Sequence, residues 1–319
     1  MNPALLEVKS LEKRFPIKKG MFKGTSYVHA VNGVNLTIYE GETLGIVGES
    51  GCGKSTLGRC ILRLIEPSGG EILFQGEPLH QYGKREMKAV RRHMQMVFQN
   101  PFDTLNPKLT IKQILTEPLV AHRVPHEERE RLIEETIEIV GLSKRYLLRY
   151  PHEFSGGQRQ RIGIARALML RPKLIIADEP VSALDVSIQA QILNLLQDLQ
   201  EQFSLTYVFI SHDLSVVEHI ADRVAVMYLG EIVELATKEA LFEKALHPYS
   251  QALLSAVPLT DPDDSKERVI LTGDLPSPSN PPTGCKFHPR CHACMEICKT
   301  MAPAHREIDG RLVACHLYE

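Results

Sequence analysis

Gly48-Glu49-Ser50-Gly51-Cys52-Gly53-Lys54-Ser55 lies between ETLGIVG, which reads as a buried strand, and KSTLGRCILRLI, which has the period of a helix. The octapeptide fits G-x-x-x-x-G-K-[ST], and a strand before it with a helix after it is the context that pattern requires. Its glycines let the backbone wrap round phosphates, whose charge then faces amide N–H groups and the positive end of the helix. Lys54 can reach β- and γ-phosphates, and the Ser55 hydroxyl can bind Mg²⁺. Contacts to a nucleotide are expected from Gly48, Ser50, Gly51, Cys52, Gly53, Lys54, Ser55 and Thr56. Cys52 occupies a variable place in the pattern, and Cys60 on the following helix reads as a small buried apolar residue.

Working outward, KLIIA and TYVFIS read as two more buried strands, each followed by a segment of helical period. HEERERLIEETIEIVGL puts Leu132, Ile133, Thr136, Ile137 and Val140 on one helical face, and Ile188, Ile192, Leu195, Leu199 and Phe203 form a second stripe. Strand–helix alternation of this kind predicts an α/β layered domain with a largely parallel sheet. The character changes after Val257, where PLTDPDDSKER and DLPSPSNPPTG are rich in turn formers. The reading divides the chain into residues 1–257 and 258–319. The second part is too short and too poor in apolar residues to hold a core of its own, which makes a metal staple physically reasonable.

Composition narrows the class. A chain of 319 residues can bury a substantial core. Its net charge of −2 gives no global attraction to nucleic acid or anionic lipid. No stretch approaches the roughly 18 continuous apolar residues of a membrane span, and the N-terminal residues lack an apolar signal core, so a cytosolic chain is expected. There, clustered cysteines point to metal or redox chemistry rather than to structural disulfides.

A second constellation complements the first. Leu174-Ile175-Ile176-Ala177-Asp178-Glu179-Pro180 is a strand ending in two carboxylates, and ligands of doubly wound sheets sit at the carboxyl ends of strands. Asp178 is placed to hold Mg²⁺ through water, and Glu179, one step further out, to polarise an attacking water as general base. A strand-end acidic pair can also be a structural cap; the phosphate loop tips the reading toward catalysis. Phe154-Ser155-Gly156-Gly157-Gln158 then opens the helix RQRIGIARALML, offering free amides and a hydroxyl as a second anion site or a simple N-cap.

With these motifs in place, Ser155-Gly156-Gly157-Gln158 resembles the signature of ATP-binding cassette ATPases. The resemblance implies an ABC-type P-loop ATPase fold with antiparallel β and helical subdomains, plus a small Cys-rich C-terminal extension. It extends to Gln99 in MVFQNPF, similar to the glutamine-loop residue that contacts Mg²⁺ and senses a transmembrane partner. Ser182-Ala183-Leu184-Asp185 resembles the D-loop, and His212 in ISHD the switch histidine at the γ-phosphate. Phe15 is placed like the aromatic that stacks on adenine, with Tyr27 and Phe22 as alternatives beyond a basic insertion. The implied mechanism closes two cassettes head to tail, each ATP held between one phosphate loop and the partner's SGGQ. Glu179 and His212 are the catalytic residues it implies.

Single cassettes also serve DNA repair, chromosome structure and translation, but this chain has no room for long coiled coils and no basic surface bias. The segment Gln99-Asn100-Pro101-Phe102-Asp103-Thr104-Leu105-Asn106-Pro107 resembles one found in oligopeptide and dipeptide importers. Pro248-Tyr249-Ser250-Gln251-Ala252-Leu253-Leu254 resembles their HPYTxxLL segment. From the residues alone, HPYSQALLSAV is an amphipathic helix and packing surface. The resemblance implies an ATPase on the cytoplasmic side of the cell membrane, paired with a second, different ATPase subunit and two permease subunits, and fed by an extracytoplasmic solute-binding protein. Nickel or another small solute is the alternative cargo, and a soluble nucleic-acid-associated ATPase the alternative class.

Five of seven cysteines fall in the last few dozen residues. Cys285, Cys291, Cys298 and Cys315 resemble the cysteines of the peptide-importer extension, where they are similar to ligands of a 4Fe–4S cluster. Four thiolates suit iron–sulfur or tetrahedral Zn²⁺, and the spacing is that of neither common ferredoxins nor a plain zinc ribbon. Iron–sulfur, zinc and uncoordinated thiols all remain open at this stage. Cys294 is extra, and His288, His292 and His316 read as exposed polar residues rather than ligands.

Overall fold

The computed structural model describes residues 2–18, 25–99, 104–256, 271 and 273–319. The boundary read at Pro258, Phe22, and Asn100 to Asp103 of the glutamine loop lie outside the described residues. The chain is α/β and divides into two compact units.

The first unit comprises Ala4–Ile38, Thr43–His80 and Ser211–Glu319. Its antiparallel sheet is built on the long strand Ala4–Lys18, flanked by Thr25–Tyr39 on one side and Gly69–Phe74 on the other. A second group of strands runs His305–Ile308, Arg311–Ala314, Glu231–Thr237, Arg223–Tyr228 and Thr43–Val47 in spatial order. Thr43–Val47 is buried along its whole length and pairs in parallel with Arg223–Tyr228, Leu44 opposite Arg223 and Val47 opposite Val226. Such two-sided burial is why ETLGIVG carries no polar alternation.

In the same unit the segment from 285 to 319 shares the cassette's core instead of building one. The Phe287 ring is 1% exposed and lies 5.3 Å from both Tyr228 and Tyr249 and 5.7 Å from His247, ring centre to ring centre. Burying one such ring contributes about 1.5–3 kcal/mol. The strand Arg311–Ala314 adds to Glu231–Thr237, with Val313 opposite Glu234 and Leu312 opposite Leu235. Phe287 and the strand Arg311–Ala314 thus give the segment apolar packing that the sequence reading did not foresee. His316 corrects a reading: it is buried, one ring nitrogen facing Glu319 at 2.5 Å and the other the Met301 carbonyl at 2.9 Å.

The second unit comprises Met1–Pro3, Tyr39–Glu42 and Gln81–Ile210. Three strands, Met94–Val97, Leu174–Asp178 and Thr206–Ile210, pair in parallel in that order. The helix His126–Ile139 buries Ile133, Thr136 and Ile137, with Val140 at its C-cap also buried. The helix Val186–Phe203 buries Ile192, Leu195 and Leu199, and also Leu193 and Leu196, so its apolar face is wider than the stripe read from the sequence.

Candidate nucleotide site

The phosphate loop emerges from the Thr43–Val47 strand and ends at the helix Lys54–Ile61. Gly48, Gly51 and Gly53 have φ of 150°, 82° and 107°, and a Cβ on Gly48 or Gly53 would run into the carbonyls of Met227 or Ala30. Side chains at both positions are excluded by strain and by space. A Cβ on Gly51 would meet nothing, and Ser50 and Gly51 are exposed, so the crown of the loop is open. Lys54 is 4% exposed and its Nζ donates to the carbonyls of Gly48 (2.7 Å) and Glu49 (3.1 Å). The ammonium is thus folded back over the cradle it closes. Ser55 and Thr56 are half-buried at the first turn of the helix. Cys52 is buried, and desolvation holds its thiol protonated by raising its pKa.

Glu49 is held from two sides by residues far along the chain. Its backbone N–H donates to the Tyr249 hydroxyl at 2.9 Å. Its carboxylate accepts both arms of the Arg290 guanidinium, at 2.5 and 2.9 Å. Tyr249 gets there through a chain of local causes. Glu234, fully buried, accepts the N–H groups of Leu246 (2.8 Å) and His247 (2.9 Å). His247 then caps the helix Pro248–Ser255, its Nδ1 accepting from the Tyr249 N–H at 3.0 Å, with Pro248 at the first turn. The HPY segment read as packing surface therefore also touches the phosphate loop. Neither Tyr249 nor Arg290 was found from the sequence. In hindsight, the only signal was the resemblance of the HPY segment.

His212 also belongs to this unit and is exposed just before the helix Leu214–Ile220. Phe15 is half-buried, with Lys13 Nζ 4.9 Å from its ring centre, and Tyr27 is 47% exposed.

In the second unit, Asp178 ends its strand at 1% exposure. Glu179 follows with φ of 47°, its N–H donating to the Ile210 carbonyl at 2.9 Å. A non-glycine residue in the left-handed region is a local strain of the kind found where a side chain must be aimed. The carboxylate accepts the Gln99 side-chain amide at 2.8 Å. The Ser182 hydroxyl donates to the Glu179 carbonyl at 3.1 Å, and the Gln189 amide to the carbonyls of Val181 and Leu184, so the turn up to Asp185 is fixed to its neighbours. Asp185 is the N-cap of the helix Val186–Phe203.

The SGGQ segment forms a capping box: Ser155 Oγ accepts the Gln158 N–H, and Gln158 Oε1 accepts the Ser155 N–H at 3.1 Å. Gly157 sits against the helix after Asp185, where its added Cβ would lie 2.5 Å from Ile188 Cγ2, and Gly156 sits against Leu184. The glycine pair lets two helices approach, and leaves the positive end of Gly156–Leu168 presented by small residues.

In the tail, Cys298 is buried, Cys285, Cys291 and Cys315 are half-buried and Cys294 is exposed. Burial, and then each other's charge, raise the thiols of Cys285 and Cys291 to about 11. Cys315 is raised likewise and feels Cys285 and Cys298. The Cys285 N–H donates to the Cys298 carbonyl at 2.8 Å, which brings these two cysteines together. Yet among the described residues no three His, Cys, Asp or Glu side chains close into a group that could hold a metal ion.

Residues 31–182 match the family described as "ABC transporter", and residues 233–298 match "Oligopeptide/dipeptide transporter, C-terminal region". The oligopeptide transport ATP-binding protein AppF of Bacillus subtilis is 55% identical over 320 residues, spanning 98% of this chain and 97% of its own. The dipeptide transport ATP-binding protein DppF of Escherichia coli is 52% identical over 316 residues, 99% of this chain and 95% of its own. Among solved structures, the ATP-binding cassette MJ0796, in a dimeric post-hydrolysis state bound to ADP and Pi, superposes with TM-score 0.64 at 31% identity. The match covers 73% of this chain and 98% of that one.

Proposed function

The chain belongs to the family of ABC transporter ATP-binding proteins, and from that membership we propose that it hydrolyses ATP to drive import of dipeptides or oligopeptides. Residues 233–298, with Tyr249 set on the phosphate loop, carry the peptide reading. In this reading Gly48 to Thr56 wrap the phosphates, and Lys54 leaves the carbonyls of Gly48 and Glu49 to meet them. Ser55, Gln99 and Asp178 serve Mg²⁺, which supplies charge neutralisation at the phosphates. Glu179 takes a proton from the attacking water, and His212 meets the γ-phosphate. Phe15 or Tyr27 stacks on adenine. Ser155 to Gln158, with Asp185, meet the nucleotide of a second cassette, whose charge holds the pair closed until hydrolysis removes it.

No helix among the described residues is long and apolar enough to cross a membrane. The proposed place is the cytoplasmic face, peripheral, on two permease subunits and beside a second, different ATPase subunit, with an extracytoplasmic solute-binding protein supplying cargo. Residues 258–319 act as an extension in which Cys285, Cys291, Cys298 and Cys315 hold a 4Fe–4S cluster, a group wider than a single ion. The burial of Cys298, the half-burial of Cys285, Cys291 and Cys315, and the backbone contact of Cys285 with Cys298 support that assignment.

The test is reconstitution with the permease pair and binding protein in liposomes. Peptide in the presence of binding protein should raise ATP hydrolysis several-fold. Stimulation by nickel and not by peptides would replace the cargo, and stimulation by DNA or RNA without permeases would replace the class.

A further inference from the structure

The phosphate loop carries a carboxylate where it is built to receive an anion. Glu49 follows the first glycine of the loop, and Lys54 donates to its carbonyl at 3.1 Å. A bare carboxylate there opposes a nucleoside triphosphate. It is not bare: the Arg290 side chain, 6% exposed, grips both oxygens of Glu49, itself 28% exposed. A two-armed guanidinium–carboxylate pair is stronger and more specific than a single-armed one, and removing one partner leaves an uncompensated charge. Arg290 stands one residue before Cys291, and the adjoining Phe287 is locked among Tyr228, Tyr249 and His247, so the guanidinium is delivered by a rigid segment.

We propose that Arg290 is a positioning residue for nucleotide binding: it cancels the charge of Glu49, so that the affinity of the phosphate loop for a nucleoside triphosphate depends on a residue of the cysteine-bearing tail. This rests on the ATP reading above. The consequence is reciprocal: whatever displaces the 285–298 segment weakens triphosphate binding, and bound triphosphate stiffens that segment.

The experiment measures binding of a fluorescent ATP analogue with Mg²⁺ to the purified full chain, with circular dichroism melts run on every variant. R290M should weaken binding about tenfold, and the deficit should shrink as salt is raised from 0.05 to about 0.5 M, because the repulsion is screened. Adding E49Q to R290M should return affinity to within about twofold of wild type. R290K, which keeps the charge, should lose no more than about threefold. If R290M does not fold, E49Q alone decides: with the Arg290 charge now uncompensated, it should bind more tightly than wild type, and weaker binding sinks the proposal. An R290M/E49Q double variant as weak as R290M, or a deficit independent of salt, would mean that Arg290 merely anchors the tail. Lys54→Ala separates the two readings: if it binds the analogue as wild type does, the ATP reading fails first.

Discussion

The Gln99 side-chain amide donates to the Glu179 carboxylate at 2.8 Å. The residue assigned to Mg²⁺ and the residue assigned to the attacking water thus hold one another. Glu179→Gln should lower the rate of ATP hydrolysis by a factor of 10²–10⁴, the usual worth of a general base, while ATP is still bound. With ATP present the variant should elute as a dimer by gel filtration. Hydrolysis within tenfold of wild type would remove Glu179 from its role.

Among the glycines of the second unit, Gly157 leaves the least room for a Cβ. An added methyl meets Ile188 Cγ2 at 2.5 Å, on a β-branched side chain with little freedom to turn away. Gly157→Ala should cost about 1–3 kcal/mol in urea denaturation and reduce ATP hydrolysis. Adding Ile188→Ala should recover most of the stability. A G157A protein as stable as wild type would show that this approach is loose.

His247 makes the fold sensitive to acid. Burial holds its imidazole at about 3, against an ordinary value of 6.5. The folded form stays neutral while the unfolded chain takes up a proton below 6.5, so the contribution is complete above that value and is lost as pH falls toward 3. Between pH 7.5 and 5 the loss should reach about 2 kcal/mol, measured by denaturant titration. His247→Asn keeps a cap acceptor without a titrating ring and should flatten the dependence. An equal slope in that variant would assign the acid sensitivity elsewhere.

The cysteine proposal predicts a brown protein with visible absorbance and about four irons per chain after anaerobic purification, both lost on Cys298→Ser. Colourless protein containing zinc, or no metal at all, would overturn it. Chelation should lower the melting temperature by several degrees if the cluster staples the tail.

What the sequence made legible was contiguous or periodic. The phosphate loop is eight consecutive residues with strand and helix on either side, and the face Ile133, Thr136, Ile137 repeats at helical spacing. What stayed hidden was long-range and aperiodic. Tyr249 meets Glu49 across 200 residues and Arg290 meets it across 241, and neither contact leaves a local pattern. Phe287 sits in a turn-rich segment where a lone aromatic gives no hint that it fills another segment's core. His316 was misjudged for a similar reason: its partners Met301 and Glu319 are ordinary residues that only the fold turns inward.

The separation of Glu49 from Arg290 also sets a schedule. A ribosome adding 5–20 residues per second needs roughly 12–48 s to travel from one to the other. Until then the nascent phosphate loop lacks Arg290, and for most of that time it also lacks the Tyr249 hydroxyl, which is made 200 residues after Glu49. A newly synthesised chain therefore matures from residue 290 backward, and the loop reaches its final charge only once that arginine has been made and folded against it.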